Sequence, residues 1–291
     1  MKVFPPRLVD EVVSAAGRKE LRQRSLPARV VVYFVVGLAL FAAESYEEVF
    51  VQLASGLSWA KRSRELVECG THAIIDAVVG PCSTSEVALS RGLLGRLQPG
   101  MLCLADRGFY GFSAWKAAAE SGADLLWRMR ASQRLDPIEV LPDGSYLSKV
   151  YEVSNFKRRG DGLVVRVIDY QIEDGRSNDT SYTLITTVLD PETLSATECA
   201  LAYSERWEIE NSLDELKTHQ RGPRTVLRSK SPPLVEQELW GHLCCHYAVR
   251  TLMWQAADHV AEDPNRVSFM TALRIVRRSM SQSDDFSPSP L

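Results

Sequence analysis

The alternation of apolar runs and helical segments between residues 66 and 129 constrains the fold more than any other feature of this sequence. Two short apolar runs, residues 66–69 and 73–79, meet at Gly70-Thr71 and predict a β-hairpin. Helices and strands then alternate, with a helix over 83–97 capped by Ser83, a strand over 101–105, a helix over 112–120 and a strand over 123–129. This order is typical of α/β proteins, in which helices pack on a sheet.

The segments on either side of this alternation differ in character. Before it, the apolar spacing predicts helices over 8–21, 30–43 and 46–54. After it, strands are predicted over 146–153, 163–172 and 182–188, separated by glycine-containing turns as in an all-β insertion. Helices resume over 195–219, 234–261 and 268–279. Residues 281–291 have the polar, proline-bearing composition of a disordered tail.

These segments predict four parts of the chain. They are a helical N-terminal region (1–62), an α/β core (63–134 and 191–262), an inserted β domain (135–190), and a C-terminal helix with a disordered tail (263–291).

Charge and cysteine content exclude several classes of protein. The 291 residues carry a net charge of −3, so the chain does not coat nucleic acid by bulk charge, and any DNA contact must use local patches. The six cysteines lack paired spacing, which suits thiols in a reducing cytoplasm. The most apolar segment, residues 30–43, is shorter than the roughly 20 residues needed to cross a bilayer. No signal peptide is predicted, and we expect a cytoplasmic protein.

Asp106 is the first candidate for chemistry. It leaves the predicted strand over 101–105 and enters a turn with the sequence Asp-Arg-Gly-Phe-Tyr-Gly. Ligand sites of open α/β sheets lie at such strand ends. The alternative is that the carboxylate caps the turn or the helix that follows, and the position alone does not decide between them.

The second candidate is a pattern on the predicted helix over 195–219. Tyr203, Arg206, Glu210 and Lys217 follow one another as Tyr-x2-Arg-x3-Glu-x6-Lys. Residues seven apart share a face of an α-helix, so three of the four form one stripe and the arginine lies less than a quarter-turn away. The alternative is a solvated face of Glu and Lys pairs. Trp207 and Ile209 argue against that alternative, because they indicate that the helix packs.

Together the two motifs resemble those of bacterial insertion-sequence transposases of the DDE class, specifically the insertion-sequence-four family with its Tyr-Arg-Glu-Lys signature. The second acidic residue of that family lies in a motif matched by Asp106 and its turn, and the third is matched by Glu210. The resemblance covers nearly the whole chain. It implies a ribonuclease-H-like α/β catalytic core with a helical N-terminal region and an all-β insertion. It also implies DNA transposition, the metal-dependent cleavage and transfer of DNA strands.

One part of the family pattern is absent. Family members carry the first catalytic Asp in an Asp-Gly-Thr-like motif on the opening strand of the core, well before the hairpin. Here the segment from Trp59 to Ser63 runs almost directly into Glu65, and no Asp-Gly-Thr lies between them. We interpret this as an internal deletion near residues 61–66 that removes the first strand and leaves an inactive enzyme.

The resemblance implies a pair of Mg²⁺ (or Mn²⁺) ions that act on phosphate oxygens in an in-line displacement. In the family the first Asp bridges both ions, and the residues matching Asp106 and Glu210 hold one each. Loss of the bridge should cost both metals. Asp76 and Glu68 are the acids that could substitute, but Asp76 lies in the middle of a predicted strand and is a poor replacement.

DNA is the implied partner, and a homodimer on DNA is a further expectation. Tyr203, Arg206 and Lys217 would face the phosphate backbone, because Arg and Lys neutralise phosphate and Tyr can hydrogen-bond it. The alternative is ion pairs along the helix. Trp127 and Trp207 could stack on an unpaired base, but their apolar surroundings favour core positions. Further basic clusters could bind phosphate or be plain surface, namely Lys157-Arg158-Arg159, Arg221 with Arg224, Arg228 and Lys230, and Arg274 with Arg277 and Arg278.

A rival metal site is suggested by His242 and His246, four residues apart on one predicted helix with Cys244 and Cys245 between them. Two imidazoles can bind zinc. The cysteines point to other faces of that helix, however, and its apolar neighbours indicate an ordinary buried helix. We expect neither zinc nor a membrane partner.

Three functional hypotheses follow from these residues. The leading one is a truncated insertion-sequence transposase. The alternative is a catalytically dead DNA-binding remnant that occupies transposon ends or pairs with an intact transposase. A nuclease of the same fold is a third hypothesis, which the Tyr-Arg-Glu-Lys signature weakens.

Overall fold

The computed structural model describes residues 3–18, 28, 32, 35–36, 61–81, 83–130, 132–152, 162–171, 181–222, 227–229 and 231–281. The helices are Pro6–Ala15 (α1), Glu86–Ser90 (α2), Phe112–Ala119 (α3), Ala196–Ser204 (α4), Glu208–Asp214 (α5), Pro232–His259 (α6) and Phe269–Ser281 (α7). The strands are Lys61–Val67 (β1), Ile74–Pro81 (β2), Leu102–Ala105 (β3), Asp124–Arg128 (β4), Glu139–Val140 (β5), Tyr146–Val150 (β6), Leu163–Gln171 (β7) and Ser181–Thr186 (β8). Short 3₁₀ helices cover Arg91–Arg96, Glu205–Trp207 and Pro264–Arg266, and a π-helix covers Glu215–Gln220.

The chain forms two compact units. The terminal unit comprises Met1–Lys61, Val67–Ile75 and Glu208–Leu291. The sheet unit comprises Arg62–Leu66 and Asp76–Trp207. The four predicted parts divide the chain at other residues, and their boundaries stay a prediction.

A six-stranded mixed sheet with the order β3-β4-β8-β7-β6-β5 forms the centre of the sheet unit. β3 and β4 are parallel, with Leu102 opposite Asp124 and Ala105 opposite Trp127. The four other neighbouring pairs of this sheet are antiparallel. The strands predicted as a β insertion are therefore hydrogen-bonded into the same sheet as β3 and β4, through the pairing of β8 with β4.

Both faces of this sheet are covered, which explains the unbroken apolar run of β4. Trp127 belongs to the cluster on one face, where its ring meets Trp115 of α3 edge-on at 5.4 Å between centroids. Leu126 belongs to the opposite cluster and packs with Cys199 and Tyr203 of α4. Successive side chains of a strand alternate between faces, so two covered faces require consecutive apolar residues. The core position predicted for Trp127 is confirmed.

The helix predicted over 83–97 begins later and ends earlier as an α-helix. Ser85, not Ser83, caps it, because the Ser85 hydroxyl accepts a hydrogen bond from Ala88 N at 3.2 Å. α2 then continues as a 3₁₀ helix that contains Gly92 and Gly95, residues of low α-helical propensity. The prediction missed this change because apolar spacing does not distinguish the two helix types.

The helical run predicted over 195–219 is present, but it changes type along its length. Ser195 and Glu198 form a capping box at its start, with Ser195 N donating to Glu198 Oε2 at 2.8 Å. α4 is followed by a 3₁₀ turn, by α5 and then by the π-helix. These helix types differ in residues per turn. The single stripe predicted from uniform α-helical geometry therefore does not extend over the whole run.

In the terminal unit, α6 and α7 confirm the helices predicted over 234–261 and 268–279. They pack through Cys245, Val249, Met253, Phe269 and Leu273. The described cysteines are free thiols. Across the described ranges, none of the helices combines the length and apolar character required for a membrane crossing.

The N-terminal predictions are only partly visible. α1 begins at Pro6 and ends at Ala15, so the helix predicted over 8–21 begins earlier and ends earlier than expected. Residues 19–21 of that prediction lie outside the described residues. Most of the helix predicted over 30–43 lies outside the described residues, as do the helix predicted over 46–54 and the tail from residue 282. β1 and β2 form a separate two-stranded sheet, which confirms the predicted hairpin and begins it earlier, at Lys61.

Candidate active site

Asp106 lies directly after β3, at the carboxyl end of the only parallel pair of the six-stranded sheet. The turn predicted after it is present, with Phe109 N donating to Asp106 O at 2.9 Å. One carboxylate oxygen, Oδ1, accepts the backbone N–H of Arg107 at 2.8 Å. The helix that follows has Gly111 as its N-cap and no side-chain cap, so the Asp106 carboxylate does not cap it. For Oδ2 the structure gives no hydrogen bond with any described residue, so this oxygen can bind another ligand.

Tyr203 connects the signature helix to this carboxylate. Its hydroxyl donates a hydrogen bond to Asp106 Oδ1 at 3.3 Å, although the two residues are 97 positions apart. The ring is 4% exposed and packs with Leu126 and Cys199. Burial, and then the negative charge of Asp106, raise the pKa of the Tyr203 phenol above its usual value, so the hydroxyl stays a neutral donor. The hydroxyl is engaged by Asp106, and the phosphate contact expected of Tyr203 stays a prediction.

Arg206 lies beside two aromatic rings. Its guanidinium carbon is 5.6 Å from the centre of the Tyr203 ring and 5.1 Å from that of Trp207. Both distances are in the range of cation–π attraction. Its Nε is buried and has no hydrogen-bond partner among the described residues.

Trp207 corrects one expectation from the sequence. It is 62% exposed, so the core position predicted for it is wrong. The helix packs through Cys199 and Tyr203 instead. These residues lie eight and four positions before Trp207, a spacing that would place all three on one face of a continuous α-helix. α4 ends at Ser204, however, and the 3₁₀ turn over Glu205–Trp207 changes the rotation per residue, so the tryptophan leaves this apolar face.

Glu210 and Lys217 belong to the terminal unit, and both side chains are exposed. The structure gives neither side chain a hydrogen bond or ion pair with a described residue. Glu210 therefore offers two carboxylate oxygens to a ligand. Its predicted approach to Asp106, close enough to share a pair of metal ions, stays a prediction.

The two acids considered as substitutes for the missing aspartate are both engaged. Asp76 accepts Arg96 Nε on Oδ2 at 2.6 Å and Ala77 N on Oδ1 at 2.8 Å. Glu68 accepts the N–H groups of Gly70 and Thr71 at 2.9 and 2.7 Å. Burial opposes ionisation of Glu68, but hydrogen bonds from Thr71 and Gly70 outweigh it and hold the pKa of this carboxyl below its usual value. Its carboxylate caps the turn of the hairpin.

The two histidines of the rival zinc hypothesis contact different partners. His246 Nε2 lies 3.1 Å from Glu215 Oε2. His242 Nδ1 lies 3.4 Å from the side-chain amide nitrogen of Gln220. Burial lowers the pKa of His242 to about 4, so its imidazole is neutral at pH 7. Over the part of the chain that the structure describes, no group of three or more His, Cys, Asp and Glu side chains is arranged to hold a metal ion.

The basic clusters are only partly described. Lys157, Arg158, Arg159, Arg224 and Lys230 lie outside the described residues. Arg274 and Arg278 are exposed on α7, four residues apart and therefore on one face. Arg277 is directed elsewhere, with its guanidinium donating to Gln220 O at 3.4 Å. The phosphate contacts expected of these clusters stay a prediction.

Comparison with known proteins assigns the family. Residues 1–79 match the family described as insertion element 4 transposase N-terminal, and residues 66–248 match the transposase DDE domain. The transposase InsG for insertion sequence element IS4 of Escherichia coli (strain K12) is 30% identical over 225 residues, which are 76% of this chain and 51% of that protein. The chain thus spans about half the length of the curated relative. The DDE match confirms the predicted ribonuclease-H-like α/β fold class, and the chain belongs to the DDE transposases of the IS4 family.

Proposed function

We propose that this chain is a truncated insertion-sequence transposase, with a site designed for metal-dependent cleavage and transfer of DNA strands, and that it is inactive alone because its first catalytic aspartate is missing. The hydrogen bond from Tyr203 to Asp106 carries this proposal. It joins the strand-end motif to Tyr203, the first residue of the Tyr-Arg-Glu-Lys signature, which lies 97 positions later in the sequence. A chance pairing of a strand-end acid with a charged helix would not predict this contact.

The donor set fits a hard divalent cation. Asp106 Oδ2 has no donor among the described residues, and the exposed Glu210 would supply two more oxygens if it approaches Asp106 as the family resemblance implies. Mg²⁺ prefers oxygen ligands with several positions left for water and phosphate, and Mn²⁺ accepts a similar set. When bound, such ions polarise the phosphoryl oxygens of an in-line displacement. Tyr203 would hold Asp106 in one orientation, because a neutral phenol donates to Oδ1 and leaves Oδ2 for the cation.

Arg206 and Lys217 would bind the DNA phosphates. Arginine and lysine neutralise phosphate charge, and a guanidinium can offer two donors to one phosphate. Arg206 is held against two rings, so little side-chain freedom remains to be lost on binding. Transposon ends and target DNA are the proposed substrates. Pairing of two copies on DNA is part of the same proposal.

The sheet arrangement supports the loss of the first strand. In the family, that strand opens the catalytic core ahead of the hairpin. Here β1 and β2 form a sheet of their own, and β3, which leads into Asp106, is an edge strand of the six-stranded sheet. An edge strand presents unpaired backbone donors and acceptors. A deletion near residues 61–66 would leave such an edge.

A catalytically dead DNA-binding remnant is the second candidate. The engagement of Asp76 and Glu68 favours it, because neither carboxylate is open to replace the missing ligand. Such a chain would occupy transposon ends or pair with an intact transposase. The two candidates share a fold and differ in the metal site.

The test is to incubate the purified protein with a supercoiled plasmid that carries the ends of the element, in Mg²⁺ and in Mn²⁺. We expect binding without nicking. Asp106→Ala is the matched variant. Nicking by the parent that disappears in Asp106→Ala would show that the site is complete and the deletion argument wrong. A protein that does not bind DNA at low salt would contradict both candidates.

A further inference from the structure

A buried ionic cluster lies in the terminal unit, apart from the residues assigned a role above. It joins three segments that are distant in sequence, namely the turn of the hairpin, the signature helix and α6. Its members are His72, Glu208, Glu215, His246 and Arg250.

Glu215 is the centre of this cluster. Its carboxylate is bound by Arg250, whose Nε donates to Oε2 at 2.8 Å and whose second nitrogen donates to Oε1. His246 contacts Oε2 at 3.1 Å, and His72 Nδ1 lies 3.6 Å from Oε1. The Arg250 side chain is 3% exposed and that of Glu215 is 12% exposed. A carboxylate bound from three sides at this depth has one orientation available to it.

His72 extends the cluster to the preceding helical segment. It adopts the left-handed conformation at φ 56°, which is uncommon for a residue other than glycine, and its side chain is 5% exposed. Its Nε2 lies 2.6 Å from Glu208 Oε2, and its Nδ1 contacts Arg250. The hairpin turn therefore contacts the signature helix at Glu208, seven positions before Glu215. Two helical residues seven apart lie on one face.

The signature residues of the terminal unit lie on the opposite side of this helical segment. Glu210 comes two residues after Glu208 in α5, roughly 200° around an α-helix. Lys217 comes two residues after Glu215 in the π-helix. Both signature residues are exposed, whereas Ser212, between Glu208 and Glu215, is fully buried. The helical segment thus has one face held by the ionic cluster, at Glu208 and Glu215, which we call the clamp. Its other face, which we call the presented face, carries the exposed Glu210 and Lys217.

The contacts of Glu215 also affect Lys217, because a π-helix begins at Glu215 and contains Lys217. A π-helix has i to i+5 hydrogen bonds and commonly occurs next to functional sites. A change to α-helical bonding would rotate every residue after Glu215. Anchoring the first residue of the π-helix in an ionic cluster fixes the direction in which Lys217 points.

We propose that Glu208 and Glu215 are positioning residues, which His72 and Arg250 hold so that Glu210 and Lys217 face outward toward metal and DNA. The inference rests on the proposed function for what the presented face binds, but the clamp itself concerns the free protein. Buried ionic groups are well suited to such a register role, because hydrogen-bonded charges accept few geometries.

The first test is amide hydrogen exchange of the free protein over residues 208–220. Glu215→Gln leaves the Arg250 charge without its counterion, and we expect exchange in this segment to accelerate by at least about tenfold while the six-stranded sheet keeps its protection. Asp214→Asn is the matched control, since it removes the same charge from the neighbouring, exposed position. Should Glu215→Gln fail to fold, Glu208→Gln, whose side chain is 26% exposed, carries the same test. Exchange equal to that of the parent in both variants would overturn the clamp.

The second test measures whether the contribution of Lys217 to DNA binding depends on Glu215. Binding of a labelled DNA duplex is titrated at several salt concentrations, with Lys217→Ala made in the parent and in Glu215→Gln. In the parent we expect Lys217→Ala to reduce the salt slope by about 0.9, the value for one lost phosphate contact. In the Glu215→Gln background we expect no reduction. If Glu215→Gln only lowered the stability of the protein, Lys217→Ala would reduce the salt slope equally in both backgrounds. An equal reduction in both backgrounds therefore overturns the proposal. If the parent does not bind the duplex, the proposed function fails, and the exchange measurement still decides the clamp.

Discussion

Replacement of Arg166 by methionine should destabilise the sheet unit far more than its single charge suggests. Arg166 is fully buried, and its guanidinium donates to Asp143 Oδ2 at 2.5 Å, to Ser145 Oγ at 2.7 Å and to Leu194 O at 2.5 Å. Asp143 also accepts Ala196 N, the first residue of α4, at 2.8 Å. The pair therefore fastens the start of α4 to the sheet. Burial opposes ionisation of Asp143, but bonds from Ser145 and Ala196 and the charge of Arg166 hold its pKa below its usual value.

Removal of one member of a buried ion pair costs about 3–5 kcal/mol. The Asp143 side chain is 20% exposed and can recover some hydration, so we expect the lower end, roughly 3 kcal/mol. For a unit of this size that is a fall in Tm of roughly 6–12 °C. Thermal unfolding followed by the fluorescence of the buried Trp115 and Trp127 measures it.

The control is Arg134→Met, an exposed arginine, for which the expected change is within about 0.5 kcal/mol. Asp143→Asn leaves the charge of the fully buried Arg166 without a counterion and without access to water, so it should cost at least as much as Arg166→Met. A loss below about 1 kcal/mol for Arg166→Met, or a loss equal to that of Arg134→Met, would refute the reasoning from buried pairing.

Three further predictions follow from charge. Burial opposes ionisation of Glu215, but its contacts with His246, His72 and Arg250 outweigh burial and lower its pKa to about 2 from 4.5. Its folded pKa is depressed, so its contribution to the free energy of unfolding is present above pH 4.5 and is lost as the pH falls toward 2. The denaturant midpoint should therefore depend less on pH between 4.5 and 2 in Glu215→Gln than in the parent. Burial lowers the pKa of His242 to about 4 from 6.5, so stability should also fall between pH 6.5 and 4, and His242→Asn should remove that part. Arg274→Ala should reduce the salt slope of DNA binding by about one, whereas Lys116→Ala should leave it unchanged.

Local patterns in the sequence predicted those parts of the fold that local energetics decide. The apolar run around Trp127 predicted a buried strand, because a strand covered on both faces needs consecutive apolar residues. The start of the signature helix could also have been predicted from a capping box, since Glu198 follows Ser195 by three residues. The prediction of that helix did not use this signal. The exposure of Trp207 could not be predicted, since it depends on where α4 stops packing.

The candidate site was predictable in its residues but not in its contacts. Asp106 and Tyr203 were both identified from motifs, yet the hydrogen bond between them joins positions that no local rule relates. The contact between His72 and Glu208 joins residues that are 136 positions apart. It also depends on the left-handed backbone conformation of His72. A buried Glu and Arg on two predicted helices would have been a signal for pairing, but the sequence gives no measure of burial for either. The π-helix at Glu215 carries no motif that apolar spacing detects.

The position of β4 between β3 and β8 has a consequence for synthesis of the chain. β4 pairs with β3 across about two dozen residues, but Leu126 meets its partner Thr186 across sixty. At 5–20 residues per second, roughly 3–12 s separate the appearance of these two strands from the ribosome. During that interval β4, which contains the buried Leu125, Leu126 and Trp127, has one edge without its partner β8. A stalled or prematurely terminated chain that stops before β8 therefore exposes Leu125, Leu126 and Trp127, and such nascent fragments should require a chaperone or be degraded.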